Sequence, residues 1–175
     1  MEETNGQGVR MADIAKAAHV SRQAVYLHFK NRIELISATT TYVDEVKGLD
    51  DRLKKVQQAS SGKQMLDVYI DEWGRYLEEI YGLAKALFET RHSDDASAAA
   101  WAKCMACHNQ GCRDIIKVLH QDKALAADWS VKEAGDMLCT SLSFQTWEQL
   151  IIEHKWSVEQ YVSQMTRMLN ASLLA

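Results

Sequence analysis

Proline is absent from all 175 residues, where average usage would supply about nine. Glycine is sparse as well, with eight in the chain, so the two strongest breakers of helices are nearly missing. These shortages exclude collagen-like sequence and Pro/Gly-rich disorder. The chain also lacks an apolar run of the roughly 18 residues that a membrane span needs, so no membrane partner is expected. Its opening, Met1-Glu2-Glu3-Thr4-Asn5-Gly6-Gln7-Gly8, has neither the basic start nor the apolar stretch of an export signal. A cytoplasmic location follows, with Cys104, Cys107, Cys112 and Cys139 expected as reduced thiols rather than a disulfide framework. No alternating run of strand length occurs. No phosphate-cradling loop, nucleophile–base pair or paired-acid motif stands out, so neither an enzyme nor a cofactor is expected.

What remains is helical periodicity almost throughout, and the expected class is all-α. Met11–Ala18 is a short amphipathic stretch; Ser21 is a good N-cap for a second, reaching Phe29. Asn31 opens a third helix to about Val46. The segment from Gly48 to Gly62 reads as the first break between parts, dividing residues 1–47 from a helical body over 48–175. In the body, Met65–Tyr81 carries Leu66, Tyr69, Ile70, Trp73, Leu77 and Ile80 on one face, and Gly82–Glu89 reads as a short separate helix. Ser93-Asp94-Asp95 caps a long helix over Ala96–His120. Val131–His154 and Val158–Leu174 close the chain, the first opened by the capping box Ser130-Val131-Lys132-Glu133.

Charge is distributed unevenly. The formal net charge is −4, yet residues 8–40 hold five basic side chains (Arg10, Lys16, Arg22, Lys30, Arg32) against Asp13 and Glu34. A basic end on an acidic body suits a polyanion. Two short helices joined by a tight turn inside that segment meet the requirement of a helix-turn-helix, whose second helix enters the major groove. His19 stands where the turn needs a positive φ, which His tolerates better than most residues. Val20 and Val25 are expected to bury against Ile14 and Ala15. Arg22, Gln23, Ala24 and Leu27 then face outward, with Tyr26, His28, Lys30 and Arg32 around the rim.

The run Asp13-Ile14-Ala15-Lys16-Ala17-Ala18-His19-Val20-Ser21, followed by Tyr26-Leu27-His28-Phe29, Lys30 and Leu35, resembles the DNA-binding signature of the TetR family of bacterial transcriptional regulators. Trp156-Ser157-Val158-Glu159-Gln160-Tyr161 is a weaker echo of the last-helix opening. The resemblance implies a homodimer, a helical ligand-binding body, and repression relieved by a small-molecule effector. Residue chemistry and resemblance agree that Arg22, Gln23, Ala24 and Leu27 face base edges of a double-stranded DNA operator: Arg for guanine, Gln for adenine, Ala for a thymine methyl. Tyr26, His28, Lys30 and Arg32 would hold phosphates and set register. Such proteins carry a full helix ahead of this motif, for which the residues before Val9 are too few. Arg10 also stands where a capping Ser or Thr is usual. The head is therefore expected to be poorly covered at Ile14 and Val25 and to bind operator weakly. The alternative is a dimeric small-molecule or metal-binding helical protein with an incomplete or vestigial head.

Cys104-Met105-Ala106-Cys107-His108 reads C-x-x-C-H, the text of c-type haem attachment, which needs export. With Cys112 it forms a helix face of thiols and an imidazole, but one straight helix spreads positions 104 and 112 too far for four-ligand coordination. Small cysteines filling a core or pocket wall are expected instead, with no metal. Trp73, Tyr76, Phe88, Trp101, Met105, His108, Met137 and Phe144 fall on inward faces. The ligand site is placed on Trp73, Tyr76, Trp101, Cys104, Met105, His108 and Phe144, with His108 as its polar anchor. The last two helices present Trp147, Leu150 and Ile151, then Tyr161, Val162, Met165 and Leu169, which the resemblance assigns to a two-fold four-helix interface.

Overall fold

A computed structural model describes residues 10–175. The expectations drawn from the segment ahead of Val9, including weak operator binding, lie outside the described residues. Among the described residues there are nine α-helices and no strand: α1 Met11–Ala17, α2 Arg22–His28, α3 Arg32–Val46, α4 Leu49–Gln57, α5 Gly62–Thr90, α6 Asp95–Gln121, α7 Val131–Ser141, α8 Phe144–Glu148 and α9 Val158–Leu173, with a π-helical turn at Gln149–Glu153 after α8.

Side-chain caps set most of these boundaries, as a proline-free chain requires. Ser21 Oγ accepts the Ala24 N–H at 3.0 Å, and Asn31 Oδ1 accepts that of Glu34 at 2.9 Å. Asp94 Oδ2 takes the Ser97 N–H at 2.9 Å to start α6. Ser130 and Glu133 exchange both bonds of the capping box that opens α7, and Ser157 accepts from Gln160 at the head of α9. At α1 the non-capping Arg10 is compensated by Asp13, whose carboxylate accepts the Arg10 N–H at 3.0 Å. His19 adopts φ 54° in the turn between α1 and α2.

Several boundaries differ from the sequence expectation. The Gly48–Gly62 segment is largely the helix α4, with only Gly48 left-handed at φ 66°. Asp50 and Asp51 in its first turn and Lys54 and Lys55 in its last complement the helix dipole. Gly82 does not break α5, which runs 29 residues, because one glycine in a helix interior costs only about 1 kcal/mol. Val131–His154 is not one helix: α7 ends before Leu142, and Ser143 caps α8 through the Thr146 N–H at 3.2 Å.

Contacts divide the described residues into two compact units, 10–47 with 80–105 and 48–79 with 106–175. In the first unit Met11, Ala15, Val25 and Leu35 form a small head core, with Ile14 and Phe29 packed on it. Val25 is thus well covered, and Met11 and Leu35 supply the cover. Val20, expected inside, is 47% exposed. A second cluster gathers Ile36, Leu83, Leu87, Ala96 and Ala100, with Val43 and Trp101 against it.

In the second unit Leu66, Ile70, Cys112, Ile115, Leu119, Leu138, Phe144, Trp147, Tyr161 and Leu169 are buried. Trp147, Tyr161, Met165 and Leu169 were expected at a dimer face, but the protomer itself already covers them. On the last helices Leu150, Ile151 and Val162 are half-buried and Met168 is exposed. Met137, expected inside, is 44% exposed. The chain end is strapped to the segment after α6. The Ala126 N–H donates to Leu173 O, the Ala175 N–H to Ala124 O, each at 2.9 Å, and the Trp129 indole to Ser172 O at 2.8 Å.

Candidate functional site

The first candidate surface is α2. With Val25 turned into the head core, helical spacing puts its remaining side chains outward. Arg22, Gln23, His28 and Lys30 are exposed, Ala24 is half-buried, and Leu27 is 85% exposed. The Arg22 guanidinium lies 5.6 Å from the centroid of the exposed Tyr26 ring, a contact that keeps both long side chains on the same face. Arg32 is placed differently. Its guanidinium pairs with Asp94 at 3.3 Å, and both side chains are only about a quarter exposed. Asp94 is the cap of α6, so Arg32 joins the start of α3 to the start of α6 within the first unit. Arg32 is thus engaged inside the protein, unlike the other rim residues.

The second candidate lies on α5 and α6 within 48–79 and 106–175. Tyr69, Trp73 and Tyr76 recur at i, i+4 and i+7 and share one face of α5. Tyr69 and Trp73 stack with rings 4° from parallel, and the Trp73 ring lies 4.5 Å from that of His108 on α6. Partner chemistry fixes the imidazole tautomer. His108 Nε2 faces the Cys139 carbonyl at 3.4 Å and must donate. Nδ1 therefore accepts, and Tyr69 Oη donates to it at 2.8 Å. Burial lowers the His108 pKa below its ordinary 6.5 and pushes the Tyr69 phenol well up, so both stay neutral. The Trp73 indole donates to Leu142 O at 2.7 Å, where α7 has just ended.

α4 closes over the other side of this aromatic row. Leu49, Arg52, Leu53 and Val56 face Tyr69, Trp73 and Tyr76 across a crevice of about 20 Å3, room for about one water. Arg52 pairs with Glu72 at 3.1 Å and with Glu79, and sits 5.8 Å over the Tyr76 ring. Lys55 adds a contact to Glu72 at 2.6 Å. Close by, Tyr161 is fully buried and its hydroxyl has no hydrogen-bond partner among the described residues; its ring packs on Gly74, where a Cβ would come within 3.1 Å.

The structure therefore gathers Trp73, Tyr76 and His108, and adds Tyr69, Arg52 and Glu72, which sequence reasoning missed as site residues. The i, i+4, i+7 aromatic spacing on α5 was the available signal for Tyr69; nothing local marks Arg52. Trp101, Cys104 and Met105 fall in the first unit, where Trp101 meets Phe88 edge-on at 5.2 Å. Phe144 is buried at the start of α8. Cys107 is exposed and Cys112 buried. Among the described residues no three His, Cys, Asp or Glu side chains are grouped to hold a metal ion, and no helix is long and apolar enough to cross a membrane.

Residues 2–39 match the family model described as bacterial regulatory proteins, tetR family. No curated protein sequence matches the chain. Among solved structures, the chain is similar to the transcriptional regulator FadR from Bacillus subtilis in complex with stearoyl-CoA (TM-score 0.74, 16% identity, covering 97% of this chain and 94% of that one). It is similar to the fatty acid degradation regulator FadR from Bacillus halodurans (TM-score 0.75, 17% identity, 97% and 91% covered). A third is the TetR-family transcriptional regulator PfmR from Thermus thermophilus (TM-score 0.68, 18% identity, 97% and 90% covered). The head and the overall fold are those of TetR-family transcriptional regulators.

Proposed function

We propose that the chain is a dimeric, ligand-responsive repressor that holds a double-stranded DNA operator through α2 and releases it when a small molecule enters the helical body. The observation that carries this reading is the exposed Arg22-Gln23 pair at the Ser21-capped start of α2, followed one turn later by the exposed Leu27. All three stand on a head with its own core. Arg22, Gln23, Ala24 and Leu27 read bases; Tyr26, His28 and Lys30 contact phosphates. Arg32, held by Asp94, sets the register of α3 rather than reaching DNA. The dimer face uses Leu150, Ile151, Val162 and Met168, the apolar side chains on the last helices that the protomer leaves at least partly uncovered.

The effector site is the aromatic row Tyr69, Trp73 and Tyr76 with neutral His108. A crevice of about 20 Å3 is far below the roughly 300 Å3 at which ligand pockets begin. Binding must therefore part α4 from α5 and break the Arg52 pairs with Glu72 and Glu79. The lining suits a largely apolar molecule with one hydrogen-bonding group, for which the unpartnered Tyr161 hydroxyl is available. Long-chain acyl-CoA thioesters are the first class to try, because the similar Bacillus subtilis regulator was solved with stearoyl-CoA.

The deciding experiment is selection of duplexes from a randomised pool by the purified protein, followed by binding of the enriched sequence at stated salt. We expect a two-fold symmetric site. Arg22→Ala should weaken it by about 1–3 kcal/mol, roughly 5- to 150-fold, and stearoyl-CoA should displace it. No enrichment over random sequence would overturn the reading.

A further inference from the structure

Cys112 and Cys139 play no part in the reading above, yet they meet at one place. Cys112, on α6, is fully buried; Cys139, on α7, is half-buried. Both flank the same imidazole nitrogen: His108 Nε2 is 3.8 Å from Cys112 Sγ and 3.4 Å from the Cys139 carbonyl oxygen. Cys139 Sγ reaches back to Asn109 O at 3.9 Å, on the turn of α6 just before Cys112. Both sulfurs thus lie beside the same turn of α6, residues 108–112. Arg113 runs along α7, its Cγ 3.7 Å from where a Cβ on Gly135 would stand.

From this geometry we infer that Cys112 and Cys139 are an oxidisable thiol pair, a modification site at which a peroxide closes an intramolecular disulfide between α6 and α7. The two sulfurs divide the work by environment. Cys139 is the partly accessible one, and the hydrogen bond from Cys112, with the nearby Arg113 charge, favours its thiolate. Cys112 sits dry in the core, where its interaction with Cys139 and then burial keep the proton on sulfur. The Cys139 sulfur attacks one peroxide oxygen; the O–O bond breaks, the displaced oxygen leaves as water or alcohol, and Cys139 becomes a sulfenic acid. The Cys112 sulfur then attacks the Cys139 sulfur. The S–O bond breaks, the Cys112 proton leaves with the hydroxyl as water, and the S–S bond forms. Two electrons pass from the thiol pair to the peroxide. Any thiol reductant reverses the change by exchange.

The test is to treat the full chain with stoichiometric hydrogen peroxide, block remaining thiols under denaturing conditions, and map the cysteines by mass spectrometry. The expected product has lost two hydrogens, carries a Cys112–Cys139 linked peptide, and returns to the starting mass with dithiothreitol. A variant with Cys104→Ser and Cys107→Ser should still form it. Cys139→Ser, at a half-exposed position that tolerates the change better than the core site 112, should abolish it. Oxidation confined to Cys104 or Cys107, or Cys112 and Cys139 both blocked in full after peroxide, overturns the inference.

Discussion

His108 has one ring hydrogen and one lone pair, and both are spent inside the protein, on the Cys139 carbonyl and the Tyr69 hydroxyl. The imidazole is therefore held neutral twice over, by burial and by a donor aimed at Nδ1. Tyr69→Phe keeps the ring stack on Trp73 and removes that donor, leaving a buried acceptor unsatisfied. We expect a loss of about 1–3 kcal/mol, read by urea denaturation. The pH dependence has a definite sign. His108 binds its proton less readily folded than unfolded, so the unfolded chain takes up more protons on acidification and stability rises with pH. The contribution is complete above the ordinary pKa of 6.5 and is lost as pH falls from there toward the lowered folded value. Tyr69 and Cys112 beside it keep their protons across this range. The wild-type stability should therefore fall more steeply below pH 6.5 than that of His108→Gln, measured as melting temperature against pH; parallel curves would contradict it.

At the scale of helices, the glycines separate permissive from obligatory positions. Gly62 opens α5 where a Cβ would stand 2.7 Å from the Leu119 backbone nitrogen of α6. Backbone cannot swing aside as a side-chain tip does. Gly62→Ala should cost about 1–3 kcal/mol through overpacking, visible as a lower denaturation midpoint. Local chemistry made much of this level readable in advance. Ser21, Asn31, Ser130 and Ser157 are caps because their short oxygens reach the third N–H of the following helix, and His19 takes the positive φ that its turn demands. The failures have a common cause in tertiary context. Gly82 continues a helix because nothing forces a bend there, while α7 stops where Leu142 O serves the Trp73 indole, 69 residues away in sequence. Val20 follows the apolar period but meets no neighbour that covers it.

At the scale of the whole molecule, the candidate site shows the same limit. The α2 surface was legible because its residues are consecutive and its signature is local. The aromatic crevice was legible only in part: Trp73, Tyr76 and His108 carry helical phase, whereas the approach of Arg52 to Glu72 and the facing of Cys139 to Cys112 depend on which helices become neighbours. Burial of Trp147, Tyr161, Met165 and Leu169 in the protomer is a further case, since an amphipathic face does not say whether its cover comes from the same chain. The strap at residues 172–175 bears on how the protein survives among proteases. Three bonds there tie residues 172–175 to the 124–129 segment and hold both backbones out of a protease cleft. Once Ser172 to Ala175 are removed, Ala124, Ala126 and Trp129 lose their partners together. A chain ending at Ala171 should then be nicked in the 122–130 segment by a dilute endoprotease that leaves the full chain intact.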